Sequence, residues 1–319
     1  MTKPLLQFDS IEQASALPPR PLHLAIGMFD GVHLGHHAVI EAAVHSARRS
    51  HGLAAVLTFW PHPSRLFRPE DPVRLIMTPD LKNRQLGRLG LDAVITQKFD
   101  STYASIEAED FLPQLKRALP SLTTIYVGEN WKFGRGRRGD IAFLISEARK
   151  HGLNVVSAQR INQNGEPISS TRVRTYLLEG RMEEANALLG YTYFAEGVVA
   201  PGKQLGRKLG FPTLNVVWEP DLRPRFGVYA VLVSSASLAK PSEPLRAVAN
   251  YGLRPTVENS NVPRLEIHIL GPCPFGDGDA LSIEWLSFLR PETKFDNVEA
   301  LRAQIGADRD AALAWFARR

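Results

Sequence analysis

Residues Gly27 to His37 read GMFDGVHLGHH, flanked by the apolar run Leu22 to Ile26 and the helical pattern AVIEAAVHSARR. A buried strand, a glycine-rich turn and a helix start thus meet within about ten residues, which is how a strand-turn-helix unit of an α/β sheet opens. The first turn of a helix presents N–H groups without intrahelical partners and a partial positive charge, so an anion such as a nucleotide phosphate suits this turn. Gly27, Gly31 and Gly35 let backbone approach such a ligand closely. His33 and His36 add imidazole donors at the same place.

Other readings of these residues stay open. An imidazole near a helix start commonly hydrogen-bonds a backbone carbonyl. His33, His36 and His37 beside Asp30 suggest a metal, but zinc needs a third or fourth ligand in a tetrahedral arrangement, and the adjacent His36 and His37 point in different directions on a helix. A turn that uses glycine for shape alone leaves both histidines unexplained.

The chain has 319 residues, 44% hydrophobic and 22% charged, which is ordinary for globular protein and suggests two domains. A single cysteine, Cys273, excludes an intramolecular disulfide and suits a reducing compartment. The N-terminus has no signal-peptide core, and no run approaches the roughly 18 apolar residues of a membrane span. The expectation is a cytoplasmic protein without a membrane partner, monomeric or weakly homo-oligomeric. The net charge of +5 admits nucleic acid or any anionic substrate. Nucleic acid would require a continuous basic face with interleaved aromatics; the charges are scattered instead, so no nucleic-acid partner is expected.

From Leu22 to about Gly190, apolar runs such as LAAVLTFW (53 to 60), LDAVITQ (91 to 97), TTIYVG (123 to 128) and LNVVSAQ (153 to 159) alternate with helical patterns, with Thr78, Ser105 and Asp140 as N-cap candidates. Such alternation predicts a doubly wound, Rossmann-like α/β domain that binds its ligand beyond the carboxyl ends of the strands. After about Tyr191 come short alternating runs, including RAVANYG, RLEIHIL and LSIEWLSFL, between Gly, Pro and Asn turns. They predict a small antiparallel β-barrel, with a C-terminal helix from NVEALRAQIGADRDAALAWFA packed on it. The boundary is placed at 186/187, giving domains 1–186 and 187–319.

Three further stretches carry chemistry. ISSTRVR (168 to 174) puts three hydroxyls and two guanidiniums at a helix start, a second anion site in which Arg172 and Arg174 grip phosphate; a simple cap by Ser169 or Ser170 would explain one hydroxyl of the three. GRGRRG (134 to 139) matches GxGxxG, but Gln159 stands where a dinucleotide site needs an acidic residue, so it reads as a decoy whose loop still has the charge to touch phosphate. TFWPHP (58 to 63) is either a stiff aromatic loop for a planar ring or a core tryptophan, Trp60, with a rigid turn.

Taken together, GMFDGVHLGHH, TFWPHP, VGENWKFG, ISSTRVR, GRKLGFPTLN, NYGLRPTV and LRPETKF resemble, in order from about residue 20 to the C-terminus, the bacterial bifunctional riboflavin kinase/FAD synthetase family. The resemblance implies an N-terminal FMN adenylyltransferase and a C-terminal riboflavin kinase, each using ATP with Mg2+; the narrower alternative is adenylylation alone over a weakened flavin-binding barrel. By resemblance His33, His36 and Arg172 are catalytic in adenylylation. Nucleotide contacts fall to Gly27, Phe29, Asp30, Gly31, Gly35, Asn130, Ser169, Ser170 and Thr171. Many relatives carry Asp at the position of Asn130. Phe59, Pro61, His62, Arg290 and Glu292 are implied flavin contacts. In the barrel, Gly206, Lys208, Gly210 and Thr213 would hold nucleotide, Thr213 and Asn215 the metal, and Glu266 would be the general base toward riboflavin. Alternation puts Glu266 and His268 on one strand face and Leu265, Ile267 and Ile269 on the other. One departure stands out: relatives follow this strand with an Asp-Leu-Tyr-Gly turn, whereas this chain reads GPCPFGDGDAL without a tyrosine.

Overall fold

The structure, a computed structural model, describes residues 4–202, 206, 209–237, 243–253 and 263–318. It divides into two compact units, Met1–Ser170 and Thr171–Arg319. The first contains β1 (Leu6–Phe8), β2 (Leu22–Ile26), α1 (Leu34–Arg49), β3 (Leu53–Trp60), α2 (Ser64–Phe67), α3 (Pro79–Arg88), β4 (Ala93–Lys98), α4 (Ser101–Ala104), α5 (Ala108–Ala118), β5 (Leu122–Gly128), α6 (Ile141–Lys150), β6 (Asn154–Ala158) and a hairpin of β7 (Asn162–Gln163) and β8 (Glu166–Pro167).

Six strands form one parallel sheet in the order β1-β4-β3-β2-β5-β6. LHLAI of β2 and the first seven residues of β3 are buried throughout, as expected of strands covered on both faces. Strand β1, a three-residue edge strand, extends the sheet beyond the elements read from the sequence. Thr78 and Asp140 cap α3 and α6, accepting from the Leu81 and Phe143 amides. Ser105 does not cap α5: it follows α4, whose N-cap is Asp100, and α5 starts after Glu107, whose carboxylate is engaged by Arg135 and Arg138. Here ion pairing replaces capping.

The second unit takes α7 (Ser170–Glu179) from its second residue onward and then α8 (Met182–Leu189). A closed barrel follows, built from β9 (Phe194–Ala200), β10 (Leu214–Val217), β11 (Gly227–Ser235), β12 (Leu245–Gly252), β13 (Arg264–Ile269) and β14 (Ala280–Pro291), paired antiparallel in the order β10-β13-β12-β11-β14-β9. Closure leaves no open sheet edge. Trp285, Tyr229 and Tyr251 fill the interior with edge-to-face contacts. The C-terminal helix Val298–Ala317 lays Ala312 and Phe316 against Val228, Ala230 and Val248. Among the described residues no helix is long and apolar enough to cross a membrane.

One ion pair fastens that helix to the barrel. Arg290 grips Asp308 through two 2.7 Å bonds, and Gln304 adds a third donor to the same carboxylate. Asp308 is buried, so Asp308→Ala leaves a largely buried guanidinium without its counter-charge. The expected loss is about 3 kcal/mol, read by urea unfolding followed through tryptophan fluorescence; a loss under about 1 kcal/mol would show that the pair is no anchor.

Candidate active sites

Strand β2 lies between β3 and β5, where the chain order of the sheet reverses, and loops beyond the carboxyl ends of strands at such a point form a crevice. The loop leaving β2 is contorted: Phe29, Gly31 and Val32 have φ of 51°, 79° and 37°. A β-branched residue at positive φ is strained and persists only where its surroundings fix it. Those surroundings are visible. The Ile76 amide donates to both carboxylate oxygens of Asp30 at 3.0 and 3.2 Å, Ser170 Oγ donates to the Asp30 carbonyl, and Thr58 Oγ1 donates to the Met28 carbonyl. Ser170 therefore ties the loop down.

His33 is the N-cap of α1: its Nδ1 accepts the His36 amide at 3.3 Å, and its ring stacks on the His36 ring with centroids 3.6 Å apart. An Nδ1 that accepts leaves the ring proton on Nε2, which becomes a donor. Phe29, buried, puts its ring edge against His36. His37 turns to Glu41 at 3.8 Å, and among the described residues no group of three or more His, Cys, Asp or Glu could hold a metal ion. Asn130 is exposed in the turn after β5, at the same sheet edge as the β2 loop, and Ser169 is half-buried. In the second unit Thr171 is exposed and Arg172 donates from Nε to the Tyr176 hydroxyl.

In TFWPHP, Phe59 is buried in a cluster with Phe99 and Tyr103. His62 Nδ1 accepts from the Ser64 hydroxyl and amide. The rings left open are Trp60 and Phe67, 41% and 64% exposed; Trp60 is therefore not the core tryptophan of a stiff turn, and Phe67 is a ring the sequence reading did not single out. Of the GRGRRG arginines, Arg135 and Arg138 are engaged with Glu107 and Glu109. The Phe143 amide and Lys132 hold the Asp140 carboxyl below its ordinary value.

In the barrel, Glu266 and His268 take one side of β13 while Leu265, Ile267 and Ile269 are buried on the other. Register sets Glu266 opposite Asn215 of β10 and opposite Asn250 of β12, and side chains directly opposite across a ladder lie about 5 Å apart at Cβ. Two cavities meet here. One, of about 710 Å³, is lined by Glu266, Asn250, Arg290 and Glu292; the other, of about 780 Å³, by Asn215, Gly210, Cys273 and Phe275. Phe211, Thr213 and His268 line both. Burial raises the Glu292 carboxyl despite a bond from the Leu253 amide. A Cβ on Gly252 would fall 1.8 Å from Glu292 Oε1, so a side chain there would push the carboxylate out of its present position. Gly206 reaches the first cavity; Lys208 lies outside the described residues. Where the turn tyrosine is missing, Phe275 supplies an aromatic wall.

Known proteins match both units. The family model described as FAD synthetase matches residues 17–172, and that described as riboflavin kinase matches 189–316. The bifunctional riboflavin kinase/FMN adenylyltransferase of Escherichia coli K12 is 34% identical over 307 residues, 96% of each chain. Its counterpart from Bacillus subtilis is 33% identical over 298 residues, 92% of each. A crystal structure described as a macrolide-efflux protein from Streptococcus pneumoniae superimposes with a TM-score of 0.86 at 27% identity, covering 98% of this chain and 99% of that one. The kinase match spans the barrel and its helix, and so supports the reading with both activities rather than adenylylation alone. With both family models matched in order and relatives similar over nearly the whole length, the chain belongs to the bifunctional riboflavin kinase/FMN adenylyltransferase family.

Proposed function

We propose that the chain converts riboflavin to FMN in the barrel and FMN to FAD in the α/β unit, with the boundary between the activities at residues 186/187 and ATP as co-substrate in both. The observation that carries the kinase half is the pair of cavities sharing Thr213. Flavin occupies the one with Glu266 and Glu292, ATP the one with Gly210 and Asn215, and the phosphoryl group crosses at their common wall. Glu266 takes the proton of the riboflavin 5′-hydroxyl as it attacks the γ-phosphorus, the bond from the γ-phosphorus to the bridging oxygen breaks, and ADP leaves. Thr213 and Asn215 offer two uncharged oxygen donors, a set that fits magnesium whose remaining ligands are phosphate and water. When bound, the ion neutralises phosphate charge; the protein's share is to hold it beside Glu266.

In the α/β unit, His33, His36 and the first turn of α1 receive the ATP phosphates, with Gly27, Gly31 and Gly35 giving backbone room. The FMN phosphate attacks the α-phosphorus and pyrophosphate leaves, so positioning and charge stabilisation are what the protein must supply. Asn130, Ser169 and Ser170 complete the nucleotide side within this unit, and the family motif is what gives Thr171 and Arg172 their proposed nucleotide roles. Phe59 and Pro61 shape the flavin side, where the open rings of Trp60 and Phe67 offer stacking surface. Arg290 and Glu292 bound the flavin in the barrel. A cytoplasmic setting, a monomeric or weakly self-associating state and no nucleic-acid partner belong to the same proposal, supported by a single exposed cysteine and by arginines tied to carboxylates.

Incubation with riboflavin, ATP and magnesium, with flavins resolved by chromatography, is expected to show FMN first and FAD after it. FAD formed only from added FMN would remove the kinase half; no new flavin at all would remove both.

A further inference from the structure

Beneath the β2 loop lies a cation that neither half of the proposed chemistry uses. Lys82 of α3 is buried, with Nζ 2.9 Å from Thr58 Oγ1 and 3.3 Å from the Met28 carbonyl. Thr58 is fully buried on β3 and donates its own hydroxyl proton to that carbonyl at 3.1 Å. The three groups close a triangle on Met28, the residue before the left-handed Phe29. From the same direction, the segment before α3 donates the Ile76 amide to Asp30, and Ile76 Cδ1 would lie 2.8 Å from any Cβ on Gly31.

We propose that Lys82 is a positioning residue for adenylyl transfer: through Met28 and Thr58 it fixes the strained Met28 to Val32 turn, and so the direction in which the turn and the α1 terminus meet ATP. This rests on the reading of the β2 loop as the nucleotide site. Three observations carry it. The loop needs an external clamp, because Phe29 and Val32 hold unfavourable backbone angles. Lys82 reaches the carbonyl at the start of that turn. Its side chain is buried, where an ammonium without a role in fixing polar groups would be costly. Burial pushes the Lys82 ammonium down to about 8 while the Asp30 carboxylate opposes the shift, so it remains charged at neutral pH. A positive charge set behind the anion site also favours phosphate in front of it.

Lys82→Met keeps the volume and removes the donor. The expected result is a fall of about 10- to 100-fold in kcat for FMN adenylylation at saturating ATP, as for other small misplacements of a reacting group. KM for FMN and riboflavin phosphorylation on the same chain are expected to stay within about twofold. Thr58→Val, which removes only the hydroxyl, is expected to give a smaller loss in the same kcat. A Lys82→Met protein with kcat within about twofold of the parent overturns the inference. So does a loss that vanishes when kcat is expressed per FMN-binding molecule, because the residue then acts on folding alone. Should Lys82→Met not fold, an unchanged kcat in Thr58→Val overturns it. His36→Ala in parallel separates the levels: if it also leaves adenylylation intact, the nucleotide-site reading fails; if it abolishes adenylylation while both clamp variants stay active, only the clamp does.

Discussion

Replacing His36 by alanine is expected to lower FAD formation from supplied FMN by about 10²- to 10³-fold, the scale of losing one preorganised donor to developing charge. Phosphorylation of riboflavin on the same molecule continues at the parental rate. The contrast follows from how the two imidazoles are held. His33 spends Nδ1 on the His36 amide, and its ring lies within 3.6 Å of the His36 ring at an interplanar angle of 14°. Alanine at position 36 keeps the backbone N–H, hence the cap, and deletes only the half-buried ring that Phe29 supports from its edge. His33→Ala is a different experiment, since it also removes an N-cap, worth about 1 kcal/mol; it is expected to lower the thermal midpoint of the α/β unit as well as activity. Both are read by chromatography of flavins, from FMN and from riboflavin separately. Parental FAD formation by His36→Ala, or equal loss of both activities, would sink the assignment.

The alternation of strands and helices around that loop was legible because buried parallel strands are continuous apolar runs and two of the helices, α3 and α6, begin after a capping residue. What escaped had no local signal. Leu6 to Phe8 is three residues long, too short to show a period, and owes its strand to pairing with β4. Lys82 stands in TPDLKNRQLGRLG, where a lysine among polar neighbours reads as a solvated helix charge; only the loop folded over α3 buries it. Arg290 reads from its motif as a flavin contact. The fold forks its guanidinium onto Asp308, 18 residues along the chain, so whatever it offers flavin is set by that clamp. Between β13 and β14 the sequence showed a missing tyrosine, whereas the fold shows Phe275 lining the cavity beside Asn215. Candidate residues next to one another in the chain could be named from the sequence; contacts that join distant segments, such as Lys82 to Met28 and Arg290 to Asp308, could not.

Glu266→Gln is expected to reduce riboflavin phosphorylation by about 10²- to 10⁴-fold, the range for removing a general base, and to leave FAD synthesis from supplied FMN unchanged. The amide preserves volume and hydrogen-bonding capacity but cannot take the 5′-hydroxyl proton. A rival base faces the same cavity. Glu292 is partly desolvated and its carboxyl is raised, and raised carboxyls make better bases near neutral pH. Geometry favours Glu266 nonetheless. Glu292 is packed on Gly252 and accepts the Leu253 amide, a binding posture, whereas Glu266 stands in register with Asn215 on the nucleotide side and Asn250 on the other. The two variants separate the roles. Glu292→Gln is expected to raise KM for riboflavin with kcat kept within about twofold, the signature of lost binding common to ground and transition states. Glu266→Gln is expected to cut kcat with KM little changed. If the losses fall the other way round, Glu292 is the base and Glu266 belongs to the binding site.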